Sequence, residues 1–178
     1  MDTDASRGFA PVIGQGAKVL ILGSLPGQPS LLAGQYYANP RNSFWRIMDD
    51  IVGLSPNDDY TEKCISLINN GISLWDVLES AVRPGSLDSA IDTASAKANN
   101  FAGLFARHPG IELICFNGKK AQDLFARRVV KTTALPAKCE QLILPSSSPA
   151  HASMNFEQKL QQWSIIGRYL APVDRRIN

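Results

Sequence analysis

Short apolar runs alternate along the chain with longer segments that have helical periodicity. Each apolar run is bounded by glycine or proline, which is typical of strands buried on both faces. These runs predict strands at 18–22, 72–77, 111–117 and 140–145. Apolar residues at helical spacing predict helices at 43–53, 59–69, 95–110, 118–129 and 155–170. The alternation predicts an α/β fold, a three-layer sandwich with a central, mainly parallel four-stranded sheet.

The composition is that of an ordinary folded protein. Of the 178 residues, 44% are hydrophobic and 19% are charged, and the mean hydropathy is -0.09. We therefore expect a single domain over residues 1–178, with 1–16 as a loose N-terminal lead-in. No apolar run approaches the roughly 20 residues of a membrane span, and no signal peptide is visible. We expect a cytoplasmic protein that is not secreted.

The net charge of +2 and the isoelectric point near 8.5 permit a nucleic-acid partner but do not argue for one. Cys64, Cys115 and Cys139 are far apart in sequence, and the chain has only two histidines. No metal-binding spacing of these residues exists, so we expect neither a metal nor another cofactor. No feature indicates an oligomer, and we expect a monomer.

The segments that follow the four predicted strands are rich in small and polar residues. In a parallel α/β sheet, ligands bind outside the carboxyl ends of the strands, and these ends share one edge. The four segments are GSLPG (23–27), WD (75–76), FNGK (116–119) and PSSSP (145–149). Small residues let a substrate approach the backbone closely, so we predict a common binding site at this edge.

Aromatic and basic residues near this edge point toward a nucleic acid. Tyr36 and Tyr37 lie beside glycine-rich turns, and a flat ring is what a nucleobase stacks on. The basic residues expected to form a rim around the site are Arg41, Arg83, Lys119 and Lys120.

Several common site motifs are excluded. GSLPG is neither a dinucleotide-binding fingerprint nor a phosphate-binding P-loop, and it lacks the spacing of a hydrolase nucleophile elbow. A serine among 146–148 paired with His151 would suggest a serine hydrolase, but turn and capping roles explain these residues better.

The motifs GSLPG, YYANPRNSFW, GISLWDV, RPGS, FNGK and LPSSSPAHA occur in this order between residue 18 and about residue 170. Together they resemble the uracil-DNA glycosylase superfamily, closest to its hypoxanthine-DNA glycosylase branch and next to the mismatch-specific uracil/thymine-DNA glycosylases. The resemblance implies no cofactor and, as partner, nucleoid DNA that contains deaminated or mispaired bases. It also implies that the base is flipped out and excised by hydrolysis of its N-glycosidic bond. Hypoxanthine, uracil and thymine in G:T mismatches are the candidate bases.

The resemblance also assigns residues to the site. The residues implied to form the base pocket are Ser24, Leu25, Pro26, Gly27, Tyr37, Phe44 and Asp76. Those implied to contact DNA are Arg41, Asn117, Lys119, Ser146, Ser147, Ser148, Pro149, Ala150 and His151. Among them, the three serines are implied to touch phosphate, and residues 149–151 to face the gap left by the base or the leaving base itself. Asp76 falls where relatives often keep an asparagine that reads the base, and an ionised aspartate can only accept hydrogen bonds.

Leu25 is a departure from the family pattern. Many relatives carry an aspartate or asparagine there to position the attacking water, and leucine cannot do so. Asn42 is our preferred substitute because PRNSFW resembles a pattern shared with the mismatch-specific relatives, and Asn39 is the second candidate. The alternative is a DNA- or nucleotide-binding module on the same fold that has lost catalysis.

Overall fold

The computed structural model describes residues 5–55 and 57–170. The strands are β1 (Ala5–Arg7), β2 (Val19–Gly23), β3 (Ile72–Asp76), β4 (Leu78–Val82), β5 (Lys97–Ala98), β6 (Leu113–Asn117) and β7 (Glu140–Leu144). The helices are α1 (Gln28–Ala33), α2 (Phe44–Val52), α3 (Tyr60–Asn69), α4 (Phe101–Arg107), α5 (Lys119–Arg128) and α6 (Phe156–Trp163). Short 3₁₀ helices cover Asp88–Ala90 and Ser164–Tyr169.

The central sheet is parallel and has the order β3-β2-β6-β7, which confirms the predicted α/β fold. In its register Ile21 lies between Leu74 and Cys115, and Gly23 lies opposite Asp76. The chain enters at β2, crosses to β3 on one side and later to β6 on the other. The sheet therefore has its topological switch point between β2 and β6, where ligands bind in open α/β folds.

Alternate residues of the buried strands face two separate cores. Val19 and Ile21 pack with α2, α3 and α6, whereas Leu20 and Leu22 pack with α4 and α5. This alternation follows from the two-residue period of a strand. Because both faces are covered, the strands read as continuous apolar runs, and the sheet is the middle layer of three.

The helix ends follow local sequence signals. Asp59 begins α3 with a capping box to Glu62, and Asn155 begins α6 with the equivalent box to Gln158. Gly53 ends α2 in the left-handed region, with φ of 70°, where a side chain would be strained.

The N-terminal segment was expected to be a loose lead-in, and for its described part this expectation is wrong. β1 pairs antiparallel with β4, and Val12 forms a bridge with Leu74. β4 pairs on its other side with β5, which gives a second, antiparallel sheet of order β1-β4-β5. Residues 1–4 lie outside the described residues.

Three other expectations need correction. The predicted strand 72–77 ends at Asp76, and a separate strand follows Val77 because the backbone turns into the second sheet. The predicted helix 95–110 begins only at Phe101, because Ser95 and Lys97 belong to that sheet and its connections. The predicted helix 155–170 changes to 3₁₀ geometry at Ser164. In addition, the short helix α1 was not predicted from the sequence.

No helix within residues 5–55 and 57–170 is both long and apolar enough to cross a membrane. Within the same residues, no group of three or more histidine, cysteine or acidic side chains could hold a metal ion.

The start of α4 at Phe101 can be tested through its N-cap residue. The Asn100 side chain accepts a hydrogen bond from the Gly103 N–H at 2.9 Å and so caps the helix. We expect Asn100→Ala to lower the free energy of unfolding by about 1 kcal/mol in urea denaturation. Ser89→Ala, at an exposed position without a cap contact, is the control. A helix that began at residue 95 would make Asn100→Ala nearly neutral.

Candidate active site

A cavity of about 320 Å³ opens at the carboxyl edge of the central sheet. Its wall is built from four segments, which are residues 23–30, 36–42, 83–88 and 146–151, and its floor includes Asp76 and Asn117. Three of the four central strands thus end directly at the cavity, and the fourth, β7, leads into residues 146–151. The shared edge expected from the sequence is where the structure has this cavity.

Two polar groups meet at the floor without a partner. The Asp76 side chain is buried, and its Oδ2 makes no hydrogen bond to any described residue; the same holds for the Tyr37 hydroxyl. Gly23 leaves the space for both. A Cβ built there would lie 2.5 Å from Asp76 Oδ1 and 3.3 Å from the Tyr37 hydroxyl. Buried polar groups are normally paired, so these two leave hydrogen-bonding capacity unused at the cavity floor.

Tyr37 is held in an uncommon conformation. Its φ is 55°, the left-handed region that non-glycine residues seldom occupy. Its ring stacks on Phe44 with centroids 4.0 Å apart. Phe44 is fully buried and does not line the cavity, so its expected place in the pocket wall is wrong: it lies behind Tyr37. Burial, with the nearby Asp76 carboxyl, raises the pKa of the Tyr37 hydroxyl above its ordinary value.

Burial also changes the charge state of Asp76. Desolvation raises the pKa of this carboxyl to about 7, against the opposing effect of the Arg83 guanidinium. The expectation that Asp76 acts only as an ionised acceptor is therefore incomplete. Near neutral pH a substantial fraction of Asp76 is the neutral acid, which both donates and accepts hydrogen bonds.

The GSLPG segment is fixed by residues 83–88. The Ser24 hydroxyl donates to Asp88 Oδ1 at 2.5 Å, and the Arg83 guanidinium donates to the Pro26 carbonyl. The Gln28 N–H donates to the Ser86 hydroxyl at 2.9 Å. Leu25, in contrast, is buried against the core shared with α4 and α5, although it contributes to the cavity wall.

Residues 83–88 were missed as a wall of the site. Arg83 was expected on an exposed basic rim, but it is buried and pairs with Asp88 at 3.5 Å, so that expectation is wrong. Ser86, Leu87 and Asp88 also line the cavity. The irregular sequence RPGSLDSA has no periodicity that would assign it to an element, and only the small residues of RPGS hinted at a close backbone approach.

Asn39 and Asn42 both line the cavity. Each side-chain oxygen accepts one local backbone hydrogen bond, from the Arg41 N–H at 3.0 Å and from the Phe44 N–H at 2.9 Å respectively. An amide oxygen has a second lone pair and its NH₂ group has two donors, so either residue keeps groups for a water molecule. Ser43 ties the start of α2 to the opposite wall, because its N–H donates to the Ser147 carbonyl at 3.0 Å.

The segment 146–151 is anchored by β6 and α6, in addition to the contact from Ser43. Asn117 at the end of β6 exchanges two hydrogen bonds of 2.8 Å with Ser147. From α6, Lys159 donates to the Ser148 carbonyl at 3.2 Å and Trp163 donates to the Pro145 carbonyl at 2.9 Å. The rigid segment leaves Pro149 and Ala150 exposed at the cavity mouth, with His151 half-buried.

The structure separates the expected DNA-contacting residues into two groups. Ser147 is fully buried, so its expected phosphate contact is wrong, and its hydroxyl instead accepts from Asn117. Lys119 pairs with Asp123 at 3.0 Å and, like the exposed Arg41, does not line the cavity. The expected residues that do line it are Asn117, Ser146, Ser147, Ser148, Pro149, Ala150 and His151.

The raised pKa of Asp76 makes stability depend on pH. Because this pKa is about 7 in the folded protein and 3.8 ordinarily, the folded state binds more protons than the unfolded state between these values. The contribution of Asp76 to the free energy of unfolding therefore falls by roughly 4 kcal/mol in total as pH rises from below about 4 to above about 7. We expect Asp76→Asn, which cannot ionise, to gain stability relative to wild type over this range in urea unfolding.

The control for this titration is Asp50→Asn, which changes an exposed carboxylate on α2. It should follow the wild-type pH dependence. A difference between Asp76→Asn and wild type that stays constant from pH 4 to pH 8 would contradict the assignment.

Comparisons with known proteins agree with the fold and with the family that the ordered motifs resemble. The model of the uracil DNA glycosylase superfamily matches residues 11–167. A protein of Methanosarcina acetivorans named hypoxanthine DNA glycosylase is 37% identical over 164 residues, 92% of this chain and 98% of that protein. A hypoxanthine DNA glycosylase of Methanosarcina barkeri is 40% identical over 118 residues, 66% of this chain and 73% of that protein.

A solved structure has the same fold. The solution NMR structure of a protein from Methanosarcina acetivorans, provisionally described as a uracil DNA glycosylase, superposes with a TM-score of 0.73. The two sequences are 36% identical, and the match covers 92% of this chain and 97% of the other. The family suggested by the ordered motifs is thereby confirmed. The chain belongs to the uracil-DNA glycosylase superfamily and is a DNA glycosylase, a hydrolase of the N-glycosidic bond.

Proposed function

We propose that this enzyme removes hypoxanthine from DNA after the base has been flipped into the cavity described above. Two relatives at 37% and 40% identity carry the name hypoxanthine DNA glycosylase. The observation that carries the proposal is the buried Asp76 carboxyl at the cavity floor, whose Oδ2 has no partner among the described residues.

A neutral carboxyl is complementary to the edge of hypoxanthine. The base has a carbonyl oxygen next to a ring N–H, which is one acceptor beside one donor. A neutral aspartic acid offers the matching donor and acceptor, so both hydrogen bonds can form in one plane. The pKa of about 7 makes this form available at physiological pH. Adenine, from which hypoxanthine arises by deamination, has the opposite donor and acceptor order on this edge. Because the acid proton can sit on either oxygen, this contact does not by itself separate hypoxanthine from adenine.

Uracil and thymine also carry a carbonyl beside a ring N–H, so this edge alone does not separate them from hypoxanthine. They remain substrates to be tested beside hypoxanthine. A mispaired base costs less to extrude than a paired one, which favours deaminated bases over normal ones in every case.

Hydrolysis requires a held water molecule and a stabilised leaving group. The water oxygen bonds to C1′ of the sugar while the C1′–N9 bond breaks, and its electron pair leaves with the base. One water proton is released, and the departing anion takes up a proton, so the products are a neutral base and an abasic sugar. Donors aimed at the base stabilise the charge that develops on it.

Asn42 is the residue that we propose to position the water, with Asn39 as the second candidate. Asn42 lines the cavity and directly precedes Ser43, the N-cap of α2, which is bonded to the opposite wall. Asn39 also lines the cavity, but the two residues that follow it are exposed. The better-fixed amide loses less freedom when it orients a water molecule.

DNA contact is proposed for the exposed rim of the same edge. Ser146 and Ser148 are half-buried hydroxyls beside the cavity, and Arg41 and Lys119 are basic side chains outside it. Such groups contact phosphate and fix the register of the duplex without reading its sequence. The proposed enzyme acts as a monomer.

The function is tested with duplexes that carry one hypoxanthine, one uracil or one G:T mismatch, followed by alkaline cleavage of abasic sites. We expect cleavage at hypoxanthine. Cleavage only at uracil or thymine would reassign the substrate. Salt-sensitive DNA binding without cleavage of any duplex would favour the catalytically inactive binding module.

The water-positioning role is tested with two alanine variants. We expect Asn42→Ala to lower the single-turnover rate by about 100-fold or more, because a positioned water is lost, and Asn39→Ala to retain cleavage. Asn42→Asp keeps an acceptor for the Phe44 N–H, so it controls for the start of α2 and should keep most of the activity. The reverse result for the two alanine variants would assign the role to Asn39.

The position of the Asp76 carboxyl is tested by adding one methyl group. Gly23→Ala would place a Cβ 2.5 Å from Asp76 Oδ1, so the carboxyl must move. We expect kcat/KM to fall by about 100-fold on the hypoxanthine duplex. Gly16→Ala is the matched control, because a Cβ there meets no atom within 4 Å. Equal activity of the two variants would show that the base does not contact Asp76.

A further inference from the structure

The proton that leaves the attacking water needs an acceptor in the cavity. Among the described residues, the cavity is lined by two carboxyl groups, Asp76 and Asp88, and by one imidazole, that of His151. Arg83 also lines it, but a guanidinium does not give up its proton in a protein. Because Asp76 faces the base in the proposed function, Asp88 and His151 are the groups whose chemistry is unused.

Asp88 is held in the cavity wall as a hydrogen-bond acceptor. Its Oδ1 accepts from the Ser24 hydroxyl at 2.5 Å and lies 3.5 Å from the Arg83 guanidinium. Among the described residues, Oδ2 accepts no hydrogen bond, and the side chain is 44% exposed. One oxygen therefore fixes the carboxylate, while the other keeps its lone pairs for a water molecule.

The two carboxyl groups of the cavity influence each other. Burial raises the pKa of Asp76, and the negative charge of Asp88 adds to this effect, whereas the Arg83 guanidinium opposes it. Two acids in one site commonly divide their tasks, with the proton on one and the charge on the other. Asp76 is the acid that keeps a proton, and Asp88 is the one that can take up a new proton.

His151 is less firmly placed than Asp88. It lies half-buried in the segment 146–151, and the one side-chain hydrogen bond that its ring makes among the described residues is to the Ser153 hydroxyl, at 3.4 Å. Asp88 is fixed by side chains from two other parts of the chain, Ser24 and Arg83. A base that is already fixed loses less freedom in the transition state, which favours Asp88.

We propose that Asp88 is the general base of the reaction and that its Oδ2 takes the proton of the water that attacks C1′. The water oxygen bonds to C1′ while the bond from C1′ to the base breaks, and that electron pair leaves with the base. The water proton goes to Asp88, which returns it to solvent through its exposed side. The departing base takes up a proton from solvent, so the enzyme ends unchanged.

Asn42 and Asp88 have separate parts in this reaction. Asn42, from the wall 36–42, orients the water, and Asp88, from the wall 83–88, accepts its proton. The inference rests on the hydrolytic step of the proposed function and not on the identity of the base. It also gives residues 83–88 a task in the chemistry besides supporting the GSLPG segment.

The first test is Asp88→Asn, which keeps an acceptor for Ser24 but cannot take up a proton. We expect the single-turnover rate to fall by about 100-fold or more, because general-base catalysis is lost. Affinity should not change for a duplex whose damaged nucleotide carries a 2′-fluorine, which slows bond cleavage. Asp92→Asn is the matched control, because Asp92 is exposed, does not line the cavity and accepts only from the Ala94 N–H among the described residues. It should match wild type.

The second test separates a base from a mere partner for the Arg83 charge. In Asp88→Ala the carboxylate is removed, and cleavage is measured in formate, nitrate or chloride at equal ionic strength. Formate and nitrate are planar anions of similar size that can both pair with a guanidinium, but nitrate is too weak a base to take the proton. We expect formate to raise the rate by about tenfold or more and nitrate to leave it at the chloride level. Equal recovery in formate and nitrate, or recovery in neither, would overturn the proposal.

The choice of substrate keeps this proposal separable from the proposed function. Both tests use whichever of the hypoxanthine, uracil and G:T duplexes wild type cleaves, so a different preferred base leaves the role of Asp88 intact. Full activity of Asp88→Asn, or a loss explained entirely by weaker DNA binding, would overturn the general base alone. If wild type cleaves none of the duplexes, the general base and the proposed function are overturned together.

Discussion

The parallel pairing of β2 with a neighbour on each side is the constraint on which the site depends. It brings Gly23 opposite Asp76, and it directs the ends of all four central strands to one edge. Every residue of β2 is buried, so the strand cannot shift by one position without moving its side chains into the wrong core. The position of Asp76 beside Gly23 at the cavity floor is therefore fixed by the register of the sheet.

The cavity gives two carboxyl groups different environments. Asp76 lies at its floor with an unpartnered oxygen, whereas the side chain of Asp88 is 44% exposed and paired with a hydroxyl and a guanidinium. Pairs of acids separated in this way commonly have separate tasks. Asp76 suits contact with a neutral base edge, and Asp88 suits the support of Arg83, whose buried charge needs a partner. The Arg83 guanidinium also donates to the Pro26 carbonyl and so holds the GSLPG backbone.

The sequence alone was enough to predict the three layers and most of the cavity wall. It also predicted the shared edge at the carboxyl ends of the strands, which does not depend on their order in the sheet. Those features follow from local patterns: apolar runs for the strands, and glycine, proline and small polar residues at their ends. The second sheet was not predictable in this way, because β1 and β5 have three and two residues and acquire their structure only through β4. The raised pKa of Asp76 comes from its burial by the assembled fold, and the buried Ser147 is bonded to Asn117, 30 residues earlier in the chain.

Residues 146–151 illustrate what a preformed rim means for association. Their backbone is held by Asn117 of β6, by Ser43 just before α2 and by Lys159 of α6. Ordering a loop at the moment of binding reduces affinity, and here that entropy has been lost already during folding. A rim that is already ordered leaves the cost of binding mainly to deformation of the DNA. Because the rim of the protein is stiff, the free energy needed to extrude a lesion from the DNA helix becomes the main cost of binding.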